Sequence, residues 1–414
     1  MIGYFSSGIG RIPHLETLLG TPCGPVRGRR QGFTHVAGWG LKPTAEKARR
    51  YARKHGLPYI SLEDGFIRSL GLGVDGAPPH SLIVDFTGIY YDATRPSDLE
   101  NLIREAPFAE DELERARACM GLIRQYRLSK YNHAPDRMAS QPDALLPHDE
   151  PAGDQEPSRL GAAGETQRVL VVDQTVGDAS IEYGLADAGS FARMLEAAVD
   201  ENPGAEILVK THPDVLAGKK EGYLPALAEQ NGCRLVGEDV SPWALLDQVD
   251  SVYVVTSQLG FEALMAGKTV RCFGMPFYAG WGLTGDEQRC ERRGVERSLE
   301  QVFAAAYLRY CRYINPYTGQ RCELEDTIAL ISDQKRVRDR FRGDWLALGM
   351  SGHKRRFVGR FLGDAARVRF VAGSGREELG VRSEEWEVRS EGLGVRSEGL
   401  GVRGHQPSGP RVLS

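Results

Sequence analysis

Residues 169–184 read VLVVDQTVGDASIEYG: four apolar residues in a row, then an abrupt change to Asp173, Gln174, Thr175, Gly177, Asp178 and Ser180. An unbroken apolar run has no solvent-facing side, so it predicts a strand covered on both faces, the habit of parallel sheets flanked by helices. The pattern recurs outward from this point. THVAGWG (34–40), LPYISLED (57–64) and SLIVDFTGIYYD (81–92) precede it; EILVKTHP (206–213), SVYVVTS (251–257) and TVRCFGMP (269–276) follow. Between these runs lie helical stretches at Thr44–His55, Ser97–Glu105, Asp111–Tyr126, Ser190–Glu201, Gly260–Ala266 and Ser298–Tyr313. Strands alternating with helices give an α/β class, and here the pattern occurs twice.

A chain of 414 residues is too long for one core and suits two domains of ordinary size with a tail. The expected boundaries are 1–140 for a first Rossmann-like domain, 141–167 for a linker, and 168–341 for a second Rossmann-like domain with closing helices. Residues 342–378 follow, and then a tail from 379 to 414. The linker rests on a stretch rich in Pro, Gly, Asp and Glu without apolar periodicity. The tail rests on the repeat LGVRSEE, WEVRSEG, LGVRSEG, LGVRG (379–404), whose glycines each cost a helix about 1 kcal/mol; disorder is expected there. With 41% hydrophobic and 26% charged residues a real core can form, while a net charge of -4 argues against a protein that coats nucleic acid. No signal-peptide pattern or membrane-spanning run occurs, which predicts a cytoplasmic protein. The seven scattered cysteines form no CxxC pair and predict neither a disulfide framework nor a zinc site.

Four strand ends carry the polar residues. LPYISLED delivers Glu63 and Asp64, with Arg68 four positions on: a candidate acid/base pair and a cation for an anionic group. A helix capped by Asp64 with a solvated Arg68 fits the same spacing. Asp178 is a candidate nucleophile or base, or the cap of a plain turn. Lys210, His212 and Pro213 suit the phosphate and the base or ribose of a nucleotide. Thr256, Ser257, Gln258 and Gly260 open a helix and predict an anion site of hydroxyls and backbone N–H groups. The Gly pattern of this last segment matches neither a Walker loop nor GxGxxG, so nothing in it points to ATP hydrolysis or a dinucleotide.

Read together, GIGRIPHL (8–15), AGWGLKP (37–43), LEDGFIRSLGLG (62–73), GIYYDA (88–93), LSKYN (128–132), VVDQTVGDASI (171–181), KTHPDV (210–215), TSQLGFEALMAGK (256–268), FGMPFYAGWGLT (273–284) and AAYLRYCRYINPYTG (305–319) resemble the KpsC/LipA family of capsular polysaccharide proteins, in family order. The resemblance spans about residues 1–330. It implies a GT-B-like glycosyltransferase fold, two Rossmann-like domains facing a cleft, the first (1–140) on the acceptor side and the second (168–341) binding the nucleotide sugar. It also implies retaining transfer of β-linked Kdo (3-deoxy-D-manno-octulosonic acid) from CMP-Kdo, without a metal or other cofactor. Asp178 would then be the nucleophile, and Glu63 or Asp64 the acid/base. Lys210, His212 and Pro213 would hold CMP, with Ser257 and Gln258 on its phosphate; Gln174, Arg68, Gly260 and Glu262 complete the expected substrate-binding set. A phospholipid-linked Kdo acceptor and other capsule biosynthesis and export proteins are the implied partners, at the cytoplasmic side of the inner membrane. Family members carry two such modules in tandem, so HKRRFVGRFLG (353–363) resembles the opening of a second one. A non-catalytic export scaffold and a nucleotide-sugar epimerase are the competing readings.

Overall fold

Two sheets organise residues 1–331 of the computed structural model, which describes residues 1–27, 32–136, 166–216, 218–363, 365–371 and 411–413. The first sheet begins with β1 (Ile2–Tyr4), β2 (Cys23–Pro25), β3 (His35–Trp39) and β4 (Tyr59–Asp64), all parallel; β5 (Ser81–Asp85) runs antiparallel to β4. The second comprises β6 (Arg168–Val172), β7 (Glu206–Lys210), β8 (Arg234–Val236), β9 (Ser251–Val254), β10 (Thr269–Cys272) and β11 (Gly285–Asp286), parallel throughout in the order β11-β10-β9-β6-β7-β8. This is the doubly wound order, in which the chain leaves β6 to one side and later returns to its other side at β9.

The apolar runs do what their composition requires. In β6, Val169 and Val171 pack with Phe191, Met194 and Leu195 on one face, while Leu170 and Val172 join the core containing Phe261 on the other. Each such side chain contributes roughly 1.5–3 kcal/mol on burial. Helix Ala188–Glu201 starts where Asp187 and Ser190 form a reciprocal capping box. Helices Glu46–His55, Asp98–Glu105, Glu110–Gln125 and Leu259–Met265 lie within a few residues of their expected positions.

The expected helix Ser298–Tyr313 differs. Ser298 caps a short helix, Leu299–Phe303, which widens into a π-helical segment, Ala304–Tyr310, and then becomes β12 (Cys311–Ile314). β12 pairs antiparallel with β5, and β13 (Arg321–Cys322) pairs with β12, so the chain crosses back into the first sheet, whose order is β13-β12-β5-β4-β3-β1-β2. The second half therefore does not run unbroken from 168 to 341. The π-helical segment packs a ladder of rings where the halves meet: Phe303 stacks on Tyr307 at 4.5 Å, Tyr307 on Phe66 at 5.0 Å, and Phe66 reaches Phe277 at 4.9 Å. A buried ion pair also joins the halves, Glu100 accepting from Arg293 at 3.0 Å and from Arg292 at 2.6 Å. Two α/β halves facing a cleft constitute a GT-B-like arrangement.

The second unit, from Ser332, contains β14 (Gly343–Leu348) and β15 (Ala366–Val371), parallel and joined by the helix Gly352–Leu362, with β16 (Arg411–Leu413) on the other side of β14. The expected linker, apart from its last two residues, and the whole repeat from Leu379 to Gly404 lie outside the described residues. Among the described residues no helix is long and apolar enough to cross a membrane.

Candidate active site

The reversal of strand order between β6 and β9 opens a crevice beyond their carboxyl ends, and the polar residues after both strands fall there. Gln174 clasps the two ends together: its amide nitrogen donates to Thr256 Oγ1 at 3.0 Å, and its oxygen accepts the Thr256 N–H at 3.0 Å. Asp173 is buried and ties the neighbouring loop, accepting from Thr211 Oγ1 at 3.0 Å and from the Tyr223 N–H at 3.0 Å. Gly177 turns the chain at φ +87°, a conformation that favours glycine, and presents Asp178 on the cleft wall. Asp178 caps the helix Ala179–Tyr183 by accepting the Ser180 N–H at 2.9 Å. The capping reading is thus right about one carboxylate oxygen; the residue itself is exposed to the cleft.

Opposite lies the end of β4. Asp64 accepts from Arg68 Nε at 2.7 Å and from the Tyr131 hydroxyl at 3.1 Å, and no helix follows it, so the cap reading fails at this strand. Arg68 is neither solvated nor on the cleft wall. It is 9% exposed, and its guanidinium also donates to Ser69 Oγ and the Ala77 carbonyl. It orients Asp64 rather than gripping a ligand. Glu63 is 7% exposed. Burial raises its carboxyl above the ordinary range, Lys130 and Lys42 pull it down, and Asp64 pushes it up again. Lys130 is held above its usual value: burial opposes its charge, but Glu63, Tyr131, Asp64 and Asp178 outweigh that. The same three carboxylates bear on Tyr90, which places Asp178 in one electrostatic neighbourhood with Glu63 and Asp64. The cleft has a volume of about 1120 Å³. Ordinary ligand pockets occupy about 300–1,000 Å³, so a nucleotide sugar fits.

Of the remaining expected residues, His212, Ser257 and Gln258 line this cleft. Pro213 opens the helical turn Pro213–Leu216. Lys210 does not line the cleft; its Nζ donates to the Glu238 carbonyl at 2.7 Å and the Thr211 carbonyl at 3.2 Å, and burial lowers its pKa. The cations on the wall are instead Lys42, Lys130, Lys219 and Lys220. The expected backbone anion site after β9 is already filled from within. The N–H groups of Gly260 and Phe261 go to the Ser257 and Gln258 carbonyls, and that of Leu259 to Ser257 Oγ. Gly260 is required for packing, because a Cβ there would meet the Tyr278 hydroxyl at 2.1 Å. Gln258 reaches across the halves to the Phe66 carbonyl at 3.1 Å.

Glu262 is a buried carboxyl rather than a ligand group. It is 3% exposed and accepts from Ser129 Oγ at 2.6 Å, fixing the turn that carries Lys130. Burial pushes it from 4.5 to about 7, against the opposing Ser129 and Lys130 contacts. A raised carboxyl keeps its proton longer in the folded than in the unfolded chain. Its contribution to stability is therefore complete below about pH 4.5 and is lost as pH rises through about 7, an effect on the order of 3 kcal/mol. Glu262→Gln should remove that slope. Its melting temperature should gain on that of the wild type as pH is raised from the acid to the alkaline side of 7; parallel melting curves would reject the assignment.

The sequence reading missed Lys130 and Tyr131 of LSKYN, Tyr90 and Tyr91 of GIYYDA, and Lys42 of AGWGLKP, all on the cleft wall. The available signal was a Lys-Tyr pair just past the end of helix Glu110–Gln125.

Residues 34–313 match the family described as capsule polysaccharide biosynthesis protein. The chain is 48% identical over 376 residues to the capsule polysaccharide modification protein LipA of Neisseria meningitidis serogroup A / serotype 4A, a match covering 89% of this chain and 51% of the relative. It is 40% identical over 299 residues to the lipopolysaccharide-processing protein LpsZ of Rhizobium meliloti, covering 72% and 63% respectively. Among solved structures it is similar to Thermosulfurimonas dismutans KpsC, beta Kdo 2,4 transferase, with TM-score 0.70 and 47% identity over 80% of this chain and 97% of that one. The beta Kdo 2,7 transferase of the same KpsC gives a TM-score of 0.59 and 30% identity, covering 81% and 99%. The chain spans about half the length of LipA.

Proposed function

The chain belongs to the capsule polysaccharide biosynthesis family, and on that premise we propose that it is a glycosyltransferase moving Kdo from CMP-Kdo to a lipid-linked Kdo acceptor. In this reading it works at the cytoplasmic face of the inner membrane, alongside other capsule proteins. It builds the poly-β-Kdo linker of a capsule by retaining double displacement.

One observation carries the reading. Asp178, at the strand-order reversal, faces the same cleft as Glu63 and Asp64, and all three act on Lys130 and Tyr90. In the first step a carboxylate oxygen of Asp178 attacks the anomeric carbon. The bond from that carbon to the phosphate oxygen breaks, and CMP leaves with the electron pair, needing no proton. His212, Lys219, Lys220 and Ser257 line the same cleft, and in this reading they stabilise the phosphate charge that develops. In the second step the acceptor hydroxyl attacks the same carbon, its proton passes to Glu63, and Asp178 departs as a carboxylate. Two inversions give retention. Glu63 suits the proton-transfer role because burial raises its carboxyl, whereas Asp64 is committed to Arg68 and Tyr131.

The test is incubation of the protein with CMP-Kdo and a Kdo-primed lipid. Release of CMP with a lipid product heavier by Kdo supports transfer. Binding without CMP release would favour the scaffold reading, and conversion of the donor sugar with CMP still attached would favour the epimerase.

A further inference from the structure

The helix Gly352–Leu362 in the second unit lies outside the proposed transfer chemistry, and its composition is one-sided: Lys354, Arg355, Arg356 and Arg360 with no acidic residue. From Ser332 to Val371, eleven Lys and Arg stand against four Asp and no Glu, a surplus of seven positive charges in a chain whose net charge is -4. We propose that the outer face of this helix docks on an anionic phospholipid surface, with Phe357 and Phe361 entering the interface and Lys354, Arg356 and Arg360 meeting the headgroups. The inference goes beyond the transfer reading, since it stands on the charge and rings of this unit alone.

The helix has a settled inner side. Leu362 is buried, and Arg355 donates to the Met350 carbonyl at 3.1 Å and lies 5.3 Å from the ring centroid of Phe370 in β15. Residues four apart share a helix face, so Phe357 and Phe361 form one ridge on the side away from Leu362; they are 51% and 75% exposed. Lys354, three positions before Phe357, flanks the ridge on one side, and Arg356 and Arg360 flank it on the other, all three exposed. The described acids of the unit do not neutralise them: Asp333 pairs with Arg336, Asp339 with Arg338 and Arg342, and Asp344 with Arg367. Two neighbouring phenylalanines left in water within a basic border mark an interaction face. A phosphate backbone draws on cations alone, whereas a headgroup layer takes both the cations and the rings. A second copy of the chain would set like charges against each other.

The experiment measures sedimentation of the full chain with vesicles of phosphatidylcholine alone and with about one third phosphatidylglycerol. The wild type should bind only the anionic vesicles, and less as salt is raised. Each cation near an anionic surface is worth about fivefold in binding, so Lys354→Gln/Arg356→Gln/Arg360→Gln should weaken it on the order of a hundredfold. Phe357→Ser/Phe361→Ser, which keeps every charge, should weaken it about tenfold or more. The substituted side chains are exposed, so the melting temperature and CMP release from CMP-Kdo should match wild type in both variants. Wild type that ignores the anionic vesicles, or binding that survives both variants, overturns the proposal whatever the transfer assay shows. A DNA oligonucleotide bound more tightly than the anionic vesicles at the same salt overturns it in favour of a nucleic acid. A concentration-dependent dimer abolished in the Phe variant, without vesicle binding, gives the face to a second copy instead.

Discussion

Asp178→Asn should lower Kdo transfer by roughly four orders of magnitude or more, the scale on which loss of an attacking group acts, while CMP affinity and the melting temperature stay close to wild type. The structure makes asparagine the discriminating choice. Asp178 accepts the Ser180 N–H at the start of the helix Ala179–Tyr183, and asparagine caps a helix about as well as aspartate does. Alanine would forfeit the cap at a cost of about 0.5–2 kcal/mol and confuse chemistry with folding. An active Asn variant would reject double displacement through this residue.

Glu63→Gln is the second large effect. We expect transfer to fall by about 10²–10⁴, with the donor half-reaction spared, because CMP departs without needing a proton. Burial raises the Glu63 carboxyl, and the second step needs its deprotonated form. Wild-type transfer should therefore decline with falling pH at a point above the ordinary carboxyl range, and that decline should be absent from the residual activity of Glu63→Gln. If Glu63→Gln is near normal and Asp64→Asn is not, the proton passes to Asp64 instead.

What the sequence disclosed follows from what local pattern can encode. Val169–Val172 and Val252–Val255 announce themselves because both faces of each strand meet a core, and burial on both faces leaves an unbroken apolar run. Cys311–Ile314 was hidden. AAYLRYCRYINP continues a helical pattern, and the partner that makes it a strand, β5, lies more than 200 residues away. The site was half legible for a related reason. A polar residue at a strand end is visible in sequence, but the direction of its side chain is not: Asp178 and His212 meet the cleft, while Lys210 folds onto the Glu238 carbonyl. Glu262 sits in the first turn of a helix, a position that suits a solvated carboxylate, yet this helix is buried nearly all round. Lys130 comes from a turn whose place beside Glu63 is fixed by Ser129 bonding to Glu262, 133 residues along the chain.

The most direct test is to trap the covalent sugar. Wild-type protein mixed with CMP-Kdo, without acceptor, then quenched and digested with trypsin, yields a peptide running from Val169 to Arg193 that contains both Asp173 and Asp178. Fragmentation mass spectrometry should place one Kdo on Asp178 and none on Asp173, and the adduct should be absent from Asp178→Asn and present in Glu63→Gln. Release of CMP with no adduct at any time point, or an adduct on Asp173 or Glu63, would contradict the assignment of Asp178 as the nucleophile.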